Sequence, residues 1–292
     1  MADITFEGTE KVVETADGPL HYHEVGDGPP VLFLHGSGPG VTGWRNFGEN
    51  LRSFADRYRC LVLDFPGYGL SHDTPGHPGD ASLASVTAFL DALGIERAHV
   101  VGNSLGGIVA AQFAIAAPER VDRLVTVGGV GRNILNPFPG EGIRLLVEFT
   151  EDPTRERLVQ WLRSMVFDPA MVTEELIEQR WRQATEPATL DTARRIYGRG
   201  KLEERAAAGA AAGIPPLWAQ LHRIKAPTLI TWGRDDRVTP LELGLLPMRV
   251  IPDVELHVFP NCGHWVMIEQ KAAWESTVLA FLDRSAGSSS PA

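Results

Sequence analysis

Cysteine is nearly absent. Cys60 and Cys262 are the only two in 292 residues, too few for a disulfide framework or a cysteine metal site, and both are expected to be free thiols. Also missing is any excess of positive charge. Lysine and arginine number 27 against 37 aspartates and glutamates, and the net charge of −10 repels phosphate backbones and anionic membranes, arguing against nucleic acid or membrane partners. No apolar run reaches membrane-spanning length, and Met1 to Thr5 carries neither the basic nor the apolar region of a secretory signal. A cytoplasmic location is predicted. What remains, 43% hydrophobic and 22% charged, is an ordinary globular composition with enough chain for one large composite core or two small ones.

The stretch around which the chain is organised is 97–107, Arg-Ala-His-Val-Val-Gly-Asn-Ser-Leu-Gly-Gly, an apolar strand that turns abruptly into a helix. Ser104 stands at its apex. Gly102 and Gly106 flank it in the G-x-S-x-G spacing, where a side chain at either position would clash across the bend. Such a bend exposes the serine hydroxyl at the positive end of a helix beginning near Leu105 and continuing through Ile108 to Ala116. A serine-capped glycine turn is the plainer alternative; the strand before and the helix after favour a nucleophile.

Taken in order, residues 11–25 alternate around Asp17-Gly18-Pro19 and predict a hairpin of edge strands, with His21 and His23 on the surface. Pro30 to Leu34 is a continuous apolar run, the pattern of a strand buried on both faces, and it ends in the glycine-rich His35-Gly36-Ser37-Gly38-Pro39-Gly40. A helix is expected from Trp44 to Ala55, a strand over Arg59 to Leu63, the turn Asp64 to Gly69, and a helix Ala81 to Leu93 that stops at Gly94. Arg123 to Val127 adds another parallel-type strand. Strands alternating with helices mean a doubly wound, mostly parallel α/β sheet. From about 133 strand signals vanish, and amphipathic helices punctuated by Pro137, Pro139, Pro153, Pro169 and Pro187 suggest a helical insertion. The α/β pattern resumes with the strand Pro227 to Trp232, a helix near Leu241 to Arg249, the strand Val254 to Phe259 and a helix from Val266 to Leu282. This divides the chain into a core of 1–132 and 213–292 and a cap of 133–212. The small, polar tail Ser285 to Ala292 is expected to be disordered.

A serine hydroxyl is a weak nucleophile and needs a general base within reach and a carboxylate to orient that base. In an open parallel sheet the site lies beyond the carboxyl ends of the strands. His264, in Asn261-Cys262-Gly263-His264-Trp265, follows such a strand, whereas His257 and His99 fall within strands and His35 is placed to brace its loop. The carboxylate should follow a strand too, and on spacing alone either aspartate of Gly233-Arg234-Asp235-Asp236-Arg237 serves. Nucleophile, acid, base is the α/β-hydrolase order, unlike that of chymotrypsin or subtilisin. The backbone N–H groups of Ser37 and Leu105 are the candidate oxyanion-hole pair.

These residues carry a resemblance over nearly the whole chain to the α/β-hydrolases, and more narrowly to the meta-cleavage product hydrolases, which hydrolyse carbon–carbon bonds in ring-opened catechol derivatives. The matching stretches are His-Gly-Ser-Gly-Pro-Gly from His35, Gly-Asn-Ser-Leu-Gly-Gly from Gly102, Trp-Gly-Arg-Asp-Asp-Arg from Trp232, and Leu-His-Val-Phe with Cys-Gly-His-Trp from Leu256 to Trp265. The resemblance implies an α/β-hydrolase fold of about eight strands with the cap inserted after the sixth. It selects Asp236 over Asp235, assigns Asn46 and Asn103 to the carboxylate-bearing end of the substrate, and places Trp265, with Gly36 and Gly38, at the pocket wall. The chain departs from the family in Gly128-Gly129-Val130-Gly131, where Gly-Pro-Gly-Gly is usual, and in Ser37, where many members have glycine.

Arg180 points the same way from the pattern of its helix. On Val172 to Ala184, at roughly 100° per residue, Leu176, Ile177, Trp181 and Ala184 form an apolar stripe with Arg180 in its middle. A buried guanidinium needs an anion, which an internal carboxylate or a substrate carboxylate would supply; in the family an arginine of this segment contacts substrate. The expected reaction is hydrolysis of a 2-hydroxy-6-oxo-hexa-2,4-dienoate derivative to 2-hydroxypenta-2,4-dienoate and a carboxylic acid, after ketonisation of the dienol, with no metal or organic cofactor. Alternatives are a carboxylesterase or thioesterase with the same triad, or a catalytically silent ligand receptor. The partner is then a small acidic molecule, and the sequence leaves open a homodimer or higher homo-oligomer.

Overall fold

Short runs of valine, leucine and isoleucine, each bounded by glycine, proline or aspartate, become the strands of the computed structural model, which describes residues 4–131 and 139–284. In chain order α1 (Phe6–Thr9) leads into β1 (Glu10–Thr15) and β2 (Gly18–Val25), followed by β3 (Pro30–Leu34), α2 (Gly43–Phe47), α3 (Leu51–Phe54) and β4 (Arg59–Leu63). Then come α4 (Pro78–Ala92), β5 (Ala98–Asn103), α5 (Leu105–Ala116) and β6 (Val121–Val127). Between β6 and β7 (Thr228–Gly233) lie α6 (Glu141–Glu151), α7 (Arg155–Ser164), α8 (Glu174–Ala184), α9 (Pro187–Tyr197), α10 (Lys201–Ala211) and the one-turn α11 (Leu217–Gln220). The chain closes with α12 (Leu245–Val250), β8 (Val254–Phe259), α13 (Val266–Glu269) and α14 (Lys271–Leu282).

One eight-stranded sheet results, in the order β1-β2-β4-β3-β5-β6-β7-β8. Only the pairings of β2 with β1 and β4 are antiparallel. Helices on both faces remove the parallel strands from water, so β3, β4, β5, β6 and β7 are buried almost throughout and read as continuous apolar runs. Strand β3 pairs with β4 on one side and β5 on the other, which makes it the place where the strand order reverses. The loop after β3 and the bend after β5 thus open side by side at the carboxyl edge, where a doubly wound sheet leaves a crevice. Among the described residues no helix is long and apolar enough to cross a membrane.

The hairpin differs from the reading of its sequence, because β2 is interior and only β1 is an edge. His21 and His23 are consequently buried, at 2% and 0% exposure, not on the surface. Packing that no local pattern announces covers them: the Phe6 and Trp44 rings lie 4.6 and 4.7 Å from that of His23, and Asp64 Oδ2 lies 2.9 Å from His21 Nδ1. The expected helix 44–55 is interrupted by a 3-10 turn at Gly48–Asn50, and the last helix breaks at Gln270, whose backbone is no longer helical. Helix α4 begins ahead of its expected start, with Pro78 at its first turn and the His77 side chain accepting from Gly79 N at 3.1 Å. Pro137, the expected cap boundary near 133 and the tail 285–292 lie outside the described residues.

Burial, and after it the neighbouring His21, lowers the pKa of His23 from 6.5 to about 4. An imidazole kept neutral in the fold but protonated in the unfolded chain favours unfolding as pH falls through that window. Stability is therefore expected to drop between pH 6.5 and about 4, and His23→Gln to flatten that part of the curve. Thermal melts of both proteins across the window test this; an unchanged slope in the variant would place the acid sensitivity elsewhere.

Candidate active site

Ser104 sits between β5 and α5 with φ 53° and ψ −113°, a region that non-glycine residues rarely occupy. Close packing forces it there. A Cβ on Gly102 would lie 2.2 Å from Gly106 O, and one on Gly106 would lie 2.0 Å from Leu34 O, so α5 meets β5 and the end of β3 only because both positions are bare. Ser104 N donates to Val127 O at 2.9 Å, and a Cβ on Gly129 would strike Ser104 O at 2.3 Å. The glycine pair after β6 therefore forms the floor of the bend.

His264 follows β8 and is 2% exposed. Its Nδ1 lies 2.7 Å from Asp236 Oδ2. Thr239 Oγ1 donates to the same carboxylate oxygen at 2.9 Å, and Oδ1 accepts from Val238 N and Thr239 N at 2.8 and 2.9 Å. With both oxygens of Asp236 engaged, the imidazole proton is held on Nδ1 and Nε2 is left as a proton acceptor, as a general base requires. Asp235 turns away: it pairs with Arg234 at 3.2 Å and accepts from Cys262 N at 3.4 Å. Cys60 and Cys262 are free and buried.

Ser104 and His264 line one narrow cavity together with Gly36, Ser37, Gly38, Asn46, Asn103, Arg180 and Trp265. Asp236 stands behind His264, and Leu105 does not line the cavity. The N–H groups of Ser37 and Leu105 have no hydrogen-bond partner among the described residues, while Gly36 N is taken by Asn46 Oδ1 at 2.8 Å. Asn103 Nδ2 donates to Val127 O at 3.1 Å. His35 ties the β3 loop to the β4 loop, its Nε2 accepting from Phe65 N at 3.0 Å.

Arg180 is 4% exposed, and among the described residues no carboxylate pairs with it. Its guanidinium faces the rings of Trp265 and Trp161 at 5.6 and 6.0 Å, and Nη1 is buried without a hydrogen bond. Burial, and second the nearby Arg45 cation, pull its pKa down to about 9, so it stays charged near neutrality in surroundings that disfavour the charge. The cavity thus sets an unsatisfied cation beside an exposed serine and an oriented imidazole.

Sequence reasoning missed several residues of this site. Thr239 was within reach, because a hydroxyl residue three positions after an aspartate is a common turn partner. Tyr197 was not: its hydroxyl hydrogen-bonds Ser37 Oγ across 160 residues of chain. Nor did any local signal mark the apolar wall of Ile143, Leu146, Met165 and Val238.

Residues 29–271 match the α/β-hydrolase fold family. A 2-hydroxy-6-oxononadienedioate/2-hydroxy-6-oxononatrienedioate hydrolase of a Pseudomonas species is 38% identical over 97% of this chain and 100% of its own length. A 2-hydroxy-6-oxo-6-phenylhexa-2,4-dienoate hydrolase of Burkholderia cepacia is also 38% identical, over 90% of this chain and 91% of its own. Among solved structures, the meta-cleavage product hydrolase of Pseudomonas fluorescens superposes with a TM-score of 0.82 at 29% identity, covering 94% of this chain and 98% of that one. The chain belongs to the meta-cleavage product hydrolases. As a member of this α/β-hydrolase family it is a hydrolase, and the eight-stranded sheet with helices inserted after β6 is the family's architecture.

In this hydrolase the helical insert also holds the His264 loop from above. His264 N donates to Met165 O at 2.7 Å. Glu269 accepts from Gly263 N at 2.9 Å with one oxygen and from Phe167 N at 2.7 Å with the other. Glu269→Gln sets an amide N–H2 against one of those N–H donors, at a cost of about 1–3 kcal/mol. Urea denaturation should register that loss, and no change in the midpoint would show that the two contacts contribute nothing to stability.

Proposed function

We propose that Ser104, His264 and Asp236 hydrolyse a carbon–carbon bond in a 2-hydroxy-6-oxo-hexa-2,4-dienoate derivative, giving 2-hydroxypenta-2,4-dienoate and a carboxylic acid. The observation that carries this reading is Arg180, a buried guanidinium with no carboxylate partner among the described residues, lining the same cavity as Ser104 and His264. A substrate carboxylate is the charge it lacks, and Asn46 and Asn103 beside it suit the same polar end. The cap is the segment 133–212, helical in its described part from Glu141, and the substrate lies between it and the sheet, against Trp265, Gly36 and Gly38.

In the proposed reaction the bound dienol is first ketonised, with His264 moving the proton. This makes the carbon fragment a viable leaving group. Ser104 Oγ gives its proton to His264 Nε2 and attacks the remote ketone, and the N–H groups of Ser37 and Leu105 hold the oxyanion. The carbon–carbon bond then breaks, the fragment takes up a proton, and water cleaves the acyl-enzyme. Asp236 keeps the imidazole in the tautomer that each transfer needs. An acidic small molecule of this kind suits an enzyme working in the cytoplasm.

Ser104→Ala should abolish turnover yet still bind the substrate, because it removes the nucleophile and spares the cavity; activity within a few-fold of the parent would sink that assignment. Asp236→Asn should lower kcat by roughly 10⁴ and Asp235→Asn far less, and the reverse ranking would show the wrong carboxylate was chosen. Arg180→Gln should cost acidic ring-fission substrates about 1.5–3 kcal/mol in kcat/KM and leave p-nitrophenyl acetate nearly untouched. Removing a charge whose pKa burial has depressed relieves the fold, so its melting temperature should hold or rise. Equal losses on both substrates with a lower melting temperature would make Arg180 a structural residue.

A further inference from the structure

The cavity around Ser104 leaves about 30 Å³ free, room for one water, so an oxo-dienoate binding there has to displace part of its lining. A second cavity of about 490 Å³ adjoins it, and Ser37 and Val41 line both. That volume lies within the usual range of small-molecule sites. Its wall is formed by the Pro39–Arg45 stretch, Tyr68, and Gln179 and Gln183 between β-sheet and helical insert.

Arg45 is the one cationic side chain lining this second cavity among the described residues. It forms no ion pair there, and its contact is Nη1 donating to Gln179 Oε1 at 3.3 Å. Two acidic residues share the wall. Asp64 is buried with its oxygens taken by Gly43 N at 2.6 Å and His21 Nδ1 at 2.9 Å, and Glu186 is exposed at the rim. Gln183 Oε1 is buried without a donor, an acceptor suited to a hydroxyl. The field of Arg45 reaches the inner cavity, since it is the charge that disfavours the Arg180 cation. In a chain of net charge −10, Arg45 and Arg180 are guanidiniums without an ion-pair partner among the described residues, lining adjoining cavities, and each offers an anion a direct partner despite Asp64 and Glu186 in the outer wall.

We infer that the second cavity is an anion-collecting antechamber, in which Arg45 binds the substrate's carboxylate before it passes Ser37 and Val41 to Arg180. This rests on the acidic substrate proposed above. It assigns Arg45 to the rate of substrate capture, whereas Arg180 belongs to the bound complex.

Stopped-flow association of a synthetic ring-fission substrate, followed by its dienolate absorbance, tests the inference in a Ser104→Ala background where nothing turns over. Adding Arg45→Gln should slow association roughly tenfold at low salt and flatten its dependence on ionic strength, while Arg45→Lys keeps most of both. Arg97→Gln is the control for net charge, because Arg97 precedes β5 at the opposite edge of the sheet, exposed and paired with Asp122; it should change neither quantity. An unchanged association rate and salt slope with Arg45→Gln would overturn the antechamber, as would an equal loss with Arg97→Gln. Loss of p-nitrophenyl acetate hydrolysis in Arg45→Gln alone, with a lower melting temperature, would likewise overturn it. Failure of Ser104→Ala itself to bind, together with no turnover by the parent enzyme, would strike the acidic-substrate reading first and the antechamber with it.

Discussion

Everything in this enzyme depends on holding one serine in a backbone conformation it would not choose. A non-glycine residue at φ 53°, ψ −113° costs about 1–3 kcal/mol, and it persists only because its surroundings allow nothing else. Gly102 lets β5 and α5 approach until their backbones touch, Gly106 does the same for α5 and the end of β3, and Gly129 lets the loop after β6 slide beneath Ser104. The parallel sheet then fixes where that strained residue points, since β3 and β5 are neighbours and their carboxyl-end loops open into the same crevice.

The two charged groups nearest the serine are treated in opposite ways. Asp236 is saturated: two backbone N–H groups, a threonine hydroxyl and an imidazole satisfy its oxygens, so its charge is stable where it is and serves to orient His264. Arg180 is starved, stacked between tryptophans with a buried nitrogen unbonded. A fold whose stability alone mattered would give a buried cation a partner or replace it. The asymmetry is intelligible if one charge completes the machinery and the other waits for a ligand, and the insert's hold on the His264 loop through Met165 and Glu269 couples the two halves.

Much of this was legible in the chain because the relevant signals are local. Glycines at fixed offsets report a tight bend, continuous apolar runs report doubly covered strands, and an arginine in the middle of a helix's apolar stripe reports a buried cation. The strands β3, β4 and β8 fall on the very residues their patterns indicate, and β6 extends only slightly beyond its expected start. Where the reading failed, the cause was contact between distant segments. His21 and His23 look like surface residues of a hairpin until α1 and Trp44 cover them and β4 pairs alongside.

By itself, then, the sequence determined the order of elements, the strained serine and the short list of residues able to serve it, since each of these depends on spacing within a few residues. The tertiary structure decided what spacing leaves degenerate. It showed which of two adjacent aspartates faces the imidazole, a choice that spacing alone leaves open. It showed among the described residues no internal carboxylate for Arg180, brought Tyr197 to Ser37, and set Arg45 in a cavity beside the serine's own. Such juxtapositions join positions tens to hundreds of residues apart, and side-chain periodicity carries no information about which distant face a residue will meet.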